Sequence, residues 1–569
     1  MKKEKVKTLV AIALSIILWA VSMAIVKKDI DFTYRWVALA LHYLSFIPVT
    51  FLFAYEYLKN RSWVNLFRKG TLLPFLFVLL VAAISYFIFL ERYPFVSRGD
   101  ELRDCGLRSL EINEGEIRNI FGYGDYNGYG LDSSILAAFF YRLFGSSVLT
   151  YRFPSAILAV IEVIVIYVLG YLILGQTLAF WSAIVLIALP LQLMLARTEL
   201  LVLFNSFLTS AILLFFYILK DKKIINFALF GIVLGFSSGF HTAVRAVALV
   251  MLFAGILFLT FPINTRNLKE KLITFMVLIL FCFIGFGPRL IFTTKDIFFA
   301  KHRFYAQPVG QQNVIDKIEI FSQRYYSSFL SWFVEPLQNR TVDNKPILTP
   351  ILSVFFIVGL VSSLFWWGNL YLRVISLLAL VLPFTNSALT DTLNQGHRLS
   401  VLLPIGAILV AFGIIIFRQK IPSKLIGGIF SFLALVYLLF QIFFFFYGQP
   451  INKSRELSDY LSMHLVYFLK THLKTVNQKI CLKVSPKNWQ TLDLLHFKEQ
   501  YEYFFPDVKF SRISDISLKD NEVYIFNGNC HENSVLSAEV LGKRLFRIAC
   551  SNNTFFCPPA YLGDFKIYY

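Results

Sequence analysis

Apolar stretches of about twenty residues recur along this chain, and that recurrence decides its fold class. A helix rises 1.5 Å per residue, so roughly 20 apolar residues cross the roughly 30 Å hydrocarbon core of a bilayer. By that measure about thirteen spans are expected. They lie near residues 8–26, 36–58, 72–90, 152–174, 178–196, 200–219, 225–238, 243–261, 272–292, 349–369, 372–390, 399–417 and 423–447. The run from Ile225 to Phe261 is interrupted by Gly239, His241 and Arg245. As one helix it would reach about 55 Å, so two helices are predicted. Of the 569 residues 57% are hydrophobic and 16% charged, too apolar for a soluble multidomain protein. The expected fold is mainly α, a polytopic transmembrane helical bundle. Met1 to Lys7 carries four lysines, and the apolar run after Lys7 is long enough to span and lacks a small-residue cleavage site. A retained first helix is expected there.

The net charge of +19 does not mark a nucleic-acid binder, because Lys and Arg fall in short clusters between apolar runs. Short cytoplasmic loops collect such residues. With the N-terminus inside, Lys59, Arg61, Arg68 and Lys69 are cytoplasmic, then Lys220, Lys222 and Lys223, then Arg266, Lys269 and Lys271, and finally Arg418, Lys420 and Lys424. Treating 225–261 as one helix would put the later clusters on the wrong side, so charge and length agree. The chain is expected to be multi-pass in the cell membrane, in four parts. These are N-terminal helices over 1–90, a first large outer loop over 91–151, a bundle over 152–448 with a second outer loop at 293–348, and an extracytoplasmic tail over 449–569. Strands expected at Ile480–Val484 and Glu522–Phe526, with a helix at Asn488–Tyr501, make the tail a small α/β domain. Cys282 falls within a span, whereas Cys105, Cys481, Cys530, Cys550 and Cys557 face the oxidising side, where one or two disulfides fit. Their spacing matches no zinc pattern and fixes no pairing.

The first outer loop reads SRGDELRDCGLRSLEINEGEIRNIFGYGDYNGYGLDSSILAAFFYRLFG. Asp100 and Glu101 stand about ten residues beyond a span, and Asp104 would share a helix face with Asp100. An ionised carboxylate near the membrane surface can take a proton from an acceptor hydroxyl or amine. The plainer reading is a solvated acidic loop paired with Arg98, Arg103 and Arg108. Leu131–Phe144 is apolar but short and is expected to lie along the membrane surface. Arg152 opens the next span, where a guanidinium can hold a phosphate or snorkel to headgroups. Arg197, Thr198 and Glu199 fill a tight outer turn, as an Arg to Glu clamp or as ligand contacts. His241 and Arg245 lie one helical turn apart, and His397 and Arg398 sit at the mouth of another span. Each alone is weak, with lipid anchoring as the default. Together these cations recur at the membrane face that carries Asp100, and a membrane-embedded donor with a phosphate leaving group needs cations beside a base.

At these residues the chain resembles the polytopic C-type glycosyltransferases. The particular likeness is to the dolichyl-phosphate-mannose protein mannosyltransferase-like family, which includes aminoarabinose transferases acting on lipid A. It rests on order and spacing: GDE at 99–101, LFG at 143–145, RFPSAI at 152–157, RTE at 197–199, GIVLGFSSGFHTA at 231–243, and HR at 397–398 before LLP at 402–404. It runs over about 90–420. The resemblance implies an inverting transfer of a sugar from a polyprenyl-phosphate donor to an extracytoplasmic lipid, glycan or protein, with Asp100 as the base and Glu101 beside it. It also implies that Arg152, Arg197, Glu199 and Arg398 stand near the donor phosphate or support the loop. His241 stands where the family commonly has lysine, and Gly130, Leu131 and Asp132 stand where it often has His-Pro-Pro. The loop carries no Asp-x-Asp pair, so neither a metal nor a cofactor is expected beyond the lipid-linked sugar itself. The expected partners are that donor, membrane lipids and an acceptor, and not nucleic acid.

Two rival classes remain. A transporter or flippase would carry its charges near the bilayer midplane, often with repeat symmetry. A scaffold would use the outer tail to bind a partner. Clustering of charge at one interface without a visible repeat favours the enzyme.

Overall fold

The computed structural model describes residues 2–59, 69–91, 101–122, 130–198, 200–260, 268–292, 314–337, 346–365, 369–383 and 396–448, together with five strands between 481 and 550. Each of the thirteen expected stretches contains helix among its described residues. The first part holds α1 (Lys2–Lys28), α2 (Arg35–Leu44), α3 (Ile47–Lys59) and α4 (Lys69–Phe87). A π-helical turn at Leu102–Leu107 runs into α5 (Arg108–Glu114), and α6 (Asp132–Phe144) follows. The bundle continues with α7 (Leu149–Leu174), α8 (Gln176–Ala188), α9 (Pro190–Thr198), α10 (Leu200–Ile218), α11 (Ile224–Ser238), α12 (Thr242–Thr260) and α13 (Leu268–Phe286). It closes with α14 (Val314–Leu330), α15 (Pro350–Phe365), α16 (Leu370–Pro383), α17 (Leu403–Lys420) and α18 (Lys424–Gly448).

The protein is an integral membrane protein. Among the described residues six helices are long and apolar enough to cross a bilayer, or seven if one bent pair counts as a span. The remaining apolar helices are shorter; α11, with 15 residues, reaches only about 22 Å. Expected spans therefore outnumber the helices that qualify by length and composition alone.

Two boundaries have clear local causes. The stretch expected as one span over 178–196 is broken into α8 and α9, bent by 68°. Leu189 is extended at φ −65°, ψ 123°, because the ring of Pro190 disfavours helical backbone in the residue before it. The predicted split of 225–261 occurs at Gly239 to His241, between α11 and α12. Gly239 is crowded by Arg289, and Gly130 N–H donates to the Gly239 carbonyl at 3.1 Å, so a second chain segment occupies the break.

Two helix pairs approach through glycine. A Cβ on Gly231 would stand 2.6 Å from the Leu278 carbonyl oxygen, and Gly235 and Gly285 face the opposite backbone in the same α11–α13 contact. Gly359 and Gly413 do the same between α15 and α17. Lipid tails are as apolar as leucine, so close backbone approach and the dispersion it gains drive such contacts.

Burial separates the centre from the rim. Within the most apolar window of each span 89% of residues are buried around α10 and α17, against 22% for α1 and 17% for α18. Helices apolar on every side belong inside the bundle, and those apolar toward lipid form its edge. The stretch 314–337 contributes α14 and a turn that lowers Trp332 onto Phe356 at 4.5 Å between ring centres. Gly406 leaves room for that indole.

In the tail the strands expected at 480–484 and 522–526 are present at Cys481–Val484 (β1) and Glu522–Phe526 (β3). With β2 (Ser517–Lys519), β4 (Val535–Leu541) and β5 (Leu545–Cys550) they form a sheet of order β2-β3-β1-β4-β5, parallel only between β1 and β4. The helix expected at 488–501 lies outside the described residues.

Candidate functional site

One end of the bundle gathers the end of α4, the start of α7, the α9–α10 junction, the α11–α12 break and the segment before α17. Three polar groups sit there.

The first is built on Arg152, in the first turns of α7. Its Nε donates to Glu101 Oε1 at 2.8 Å and its Nη1 to the Leu90 carbonyl at 3.2 Å. Neither side chain of the Arg152–Glu101 pair is exposed, so Arg152 does not snorkel to headgroups. Glu101 leads directly into the π-helical turn, a local irregularity of the kind that re-aims side chains. Asp100 lies outside the described residues, as does the side chain of Asp104. Arg108 pairs with Glu111 at 2.7 Å, on its own helix.

The second group closes the end of α4. A helix leaves its last carbonyls without intrahelical donors. Arg197 Nη1 donates to those of Ser85 at 2.8 Å and Tyr86 at 3.2 Å, and Nη2 to that of Ile88 at 2.6 Å. The same guanidinium lies 4.9 Å over the Phe446 ring. Arg197 and Thr198 are fully buried. Glu199, the partner in the expected Arg to Glu clamp, lies outside the described residues.

The third group joins residues far apart in sequence. His241 and His397 meet edge to face at 5.5 Å. Asn205, on α10, reaches both: its Nδ2 stands 3.5 Å from His241 Nδ1 and donates to the His397 carbonyl at 3.2 Å. Ala243 N–H donates to His241 Nδ1 at 3.3 Å, which turns the ring toward the start of α12. Arg245 follows one turn along α12, half-buried, and Arg398 follows His397, buried. Two positions singled out separately in the sequence thus form one junction, and Asn205 was not foreseen because an amide in an apolar helix gives no spacing signal.

Two further clusters were missed. Asp132, at the start of α6, accepts from Arg289 through Oδ1 and from the Tyr43 hydroxyl at 3.1 Å. Arg289 also lies 5.8 Å from each of the Phe236 and Phe240 rings. Glu162, in the middle of α7, accepts hydrogen bonds from Gln192, Ser206 and Ser210. A signal for both existed: an acidic or basic residue inside an apolar run is costly unless partnered.

Chemically, the arrangement offers two buried arginines that fix segment ends and a histidine junction next to two more cations. The first pair organises backbone. The second group sets two histidines and an amide between cation-bearing segments.

Residues 133–292 match the family model described as dolichyl-phosphate-mannose-protein mannosyltransferase. The resemblance seen in the sequence is thus met over α6 to α13. Asp100, Glu101, His397 and Arg398 fall outside the matched residues. No curated protein sequence matches the chain. Among solved structures it is similar to the archaeal oligosaccharyltransferase AglB from Archaeoglobus fulgidus in complex with an inhibitory peptide and a dolichol-phosphate. That likeness has a TM-score of 0.43 and 11% identity over 78% of this chain and 64% of that one. The apo form of the Archaeoglobus fulgidus oligosaccharyltransferase gives 0.40 and 12% over 76% and 63%. ArnT from Cupriavidus metallidurans gives 0.28 and 12% over 80% and 98%. The chain spans less than two thirds of the length of the archaeal enzyme.

Proposed function

We propose that this protein is a membrane glycosyltransferase of the C type, moving a sugar from a polyprenyl-phosphate donor to an extracytoplasmic lipid, glycan or protein with inversion. The observation that carries the reading is the junction of His241, Asn205 and His397, which joins cation-bearing segments of α12 and of the 396–399 turn. It lies partly within the stretch that matches a glycosyltransferase family.

In the proposed reaction the acceptor oxygen or nitrogen attacks the anomeric carbon while the bond to the phosphate oxygen breaks. Asp100 takes the acceptor proton, and the polyprenyl phosphate leaves as an anion held by Arg245 and Arg398 with the histidines beside them. Arg152 and Arg197 act through the segments they fix, and Glu101 holds Arg152. The donor enters from the bilayer, the N-terminus is cytoplasmic, and loop 91–151 and the tail face outside. No metal takes part in the proposed step, since the acidic loop lacks an Asp-x-Asp pair.

The test is Asp100→Asn in protein reconstituted with a polyprenyl-phosphate-linked monosaccharide and a membrane extract as acceptor source, with release of polyprenyl monophosphate as the readout. Loss of a general base lowers the rate about 10²–10⁴-fold. Release by the variant at the wild-type rate would remove Asp100 as the base, and absence of release by the wild-type protein would favour a transporter or scaffold.

A further inference from the structure

Glu162 is fully buried halfway along α7 and has no part in the transfer chemistry above. Its Oε1 accepts from Ser206 Oγ at 2.6 Å and Ser210 Oγ at 3.1 Å, and its Oε2 accepts from Gln192 Nε2 at 2.9 Å. The donors come from α9 and α10, so one carboxyl group ties three helices. A carboxyl group among apolar helices is tolerated only with its oxygens engaged, which makes the tie sensitive to any relative shift.

What those helices carry gives the tie a purpose. Arg152 lies ten residues from Glu162 on α7, roughly 15 Å along the axis. Arg197 lies five residues past Gln192, roughly 7.5 Å. Asn205 directly precedes Ser206. The short α9 is cut off from α8 by the 68° bend, so lateral contacts must hold it. Gln192 supplies one, and Ser155 Oγ, donating to the Leu195 carbonyl at 2.9 Å, supplies another.

We propose that Glu162 is a positioning residue: by tying α9 and α10 to α7 it holds Arg152, Arg197 and Asn205 in one register at the end of the bundle that receives the lipid phosphate. This rests on the donor reading above. The tie depends on acceptor geometry rather than charge. In Glu162→Gln the two serines still donate to the side-chain carbonyl. The Gln192 amide turns over to accept from the new N–H with its Oε1, which makes no hydrogen bond among the described residues. In Glu162→Leu nothing replaces the tie.

The experiment measures backbone hydrogen exchange over residues 190–198 in the full chain in lipid nanodiscs, with binding of polyprenyl monophosphate measured in parallel. Glu162→Leu is expected to speed exchange there severalfold and weaken binding about tenfold, while Glu162→Gln stays close to wild type in both. Wild-type behaviour of Glu162→Leu, or a Glu162→Gln as defective as Glu162→Leu, overturns the proposal. If Glu162→Leu fails to fold, Gln192→Leu removes the α9 tie alone, and unchanged exchange there overturns it. Should the wild type bind no polyprenyl monophosphate, the donor reading fails, and the exchange rates still decide whether Glu162 holds α9.

Discussion

Arg152 and Glu101 show how much a single contact carries when both partners leave water. Together they balance, and Arg152 also satisfies the Leu90 carbonyl. Removing one partner leaves a buried charge, which costs about 3–5 kcal/mol, whereas replacing both by apolar groups is often close to neutral. Glu101→Ala is therefore expected to lower thermal stability in detergent sharply, and Glu101→Leu combined with Arg152→Met to recover much of the loss. A double variant no more stable than the single one would contradict this account. The sequence offered both residues as candidates but not as a pair, because 51 positions separate them and no local pattern encodes such a contact. The same holds for Arg197, which donates to three backbone carbonyls, groups every residue has.

Helices were legible because apolar length is written locally, and their breaks were legible where a residue type forces them. Gly239 and His241 announced the α11–α12 break, whereas the α8–α9 bend needed Pro190 to be weighed against an otherwise continuous apolar run. Helix pairing was not legible. Gly235 and Gly413 read as ordinary apolar-run glycines, yet both press against the backbone of a partner helix. Overpacking a tight contact costs typically 1–3 kcal/mol, so Gly413→Ala is expected to destabilise the bundle by about that amount. Gly428, in α18, has nothing within 4 Å of its would-be Cβ. There alanine gains about 0.4–1 kcal/mol from reduced freedom of the unfolded chain. Thermal unfolding of the two variants should move in opposite directions, and a shared direction would mean that the glycine contacts do not set helix packing.

Across the whole molecule the two ends differ in chemistry. One gathers the Arg152, Arg197 and His241–His397 groups. At the other, Lys223 pairs with Glu56 at 2.7 Å, which brings the end of α3 beside the α10–α11 turn. The Tyr217 hydroxyl donates to the Leu172 carbonyl, so α7 and α10 run in the same direction from the polar end to the basic end. Lys220, Lys222 and Lys223 then share an end with Glu56. Sidedness follows as a measurable property of the bundle: if one basic turn is cytoplasmic, the polar end is outside. Lys420→Cys, at the exposed end of α17, should react with a membrane-impermeant maleimide only in inside-out vesicles. Ser146→Cys, in the turn between α6 and α7, should react only in right-side-out vesicles, each read against the labelling of the wild-type cysteines. Labelling of both from the same face would break the arrangement of helices, while an exchange of faces would keep the bundle and reverse its orientation, moving the acidic loop to the cytoplasm and removing the extracytoplasmic acceptor with it.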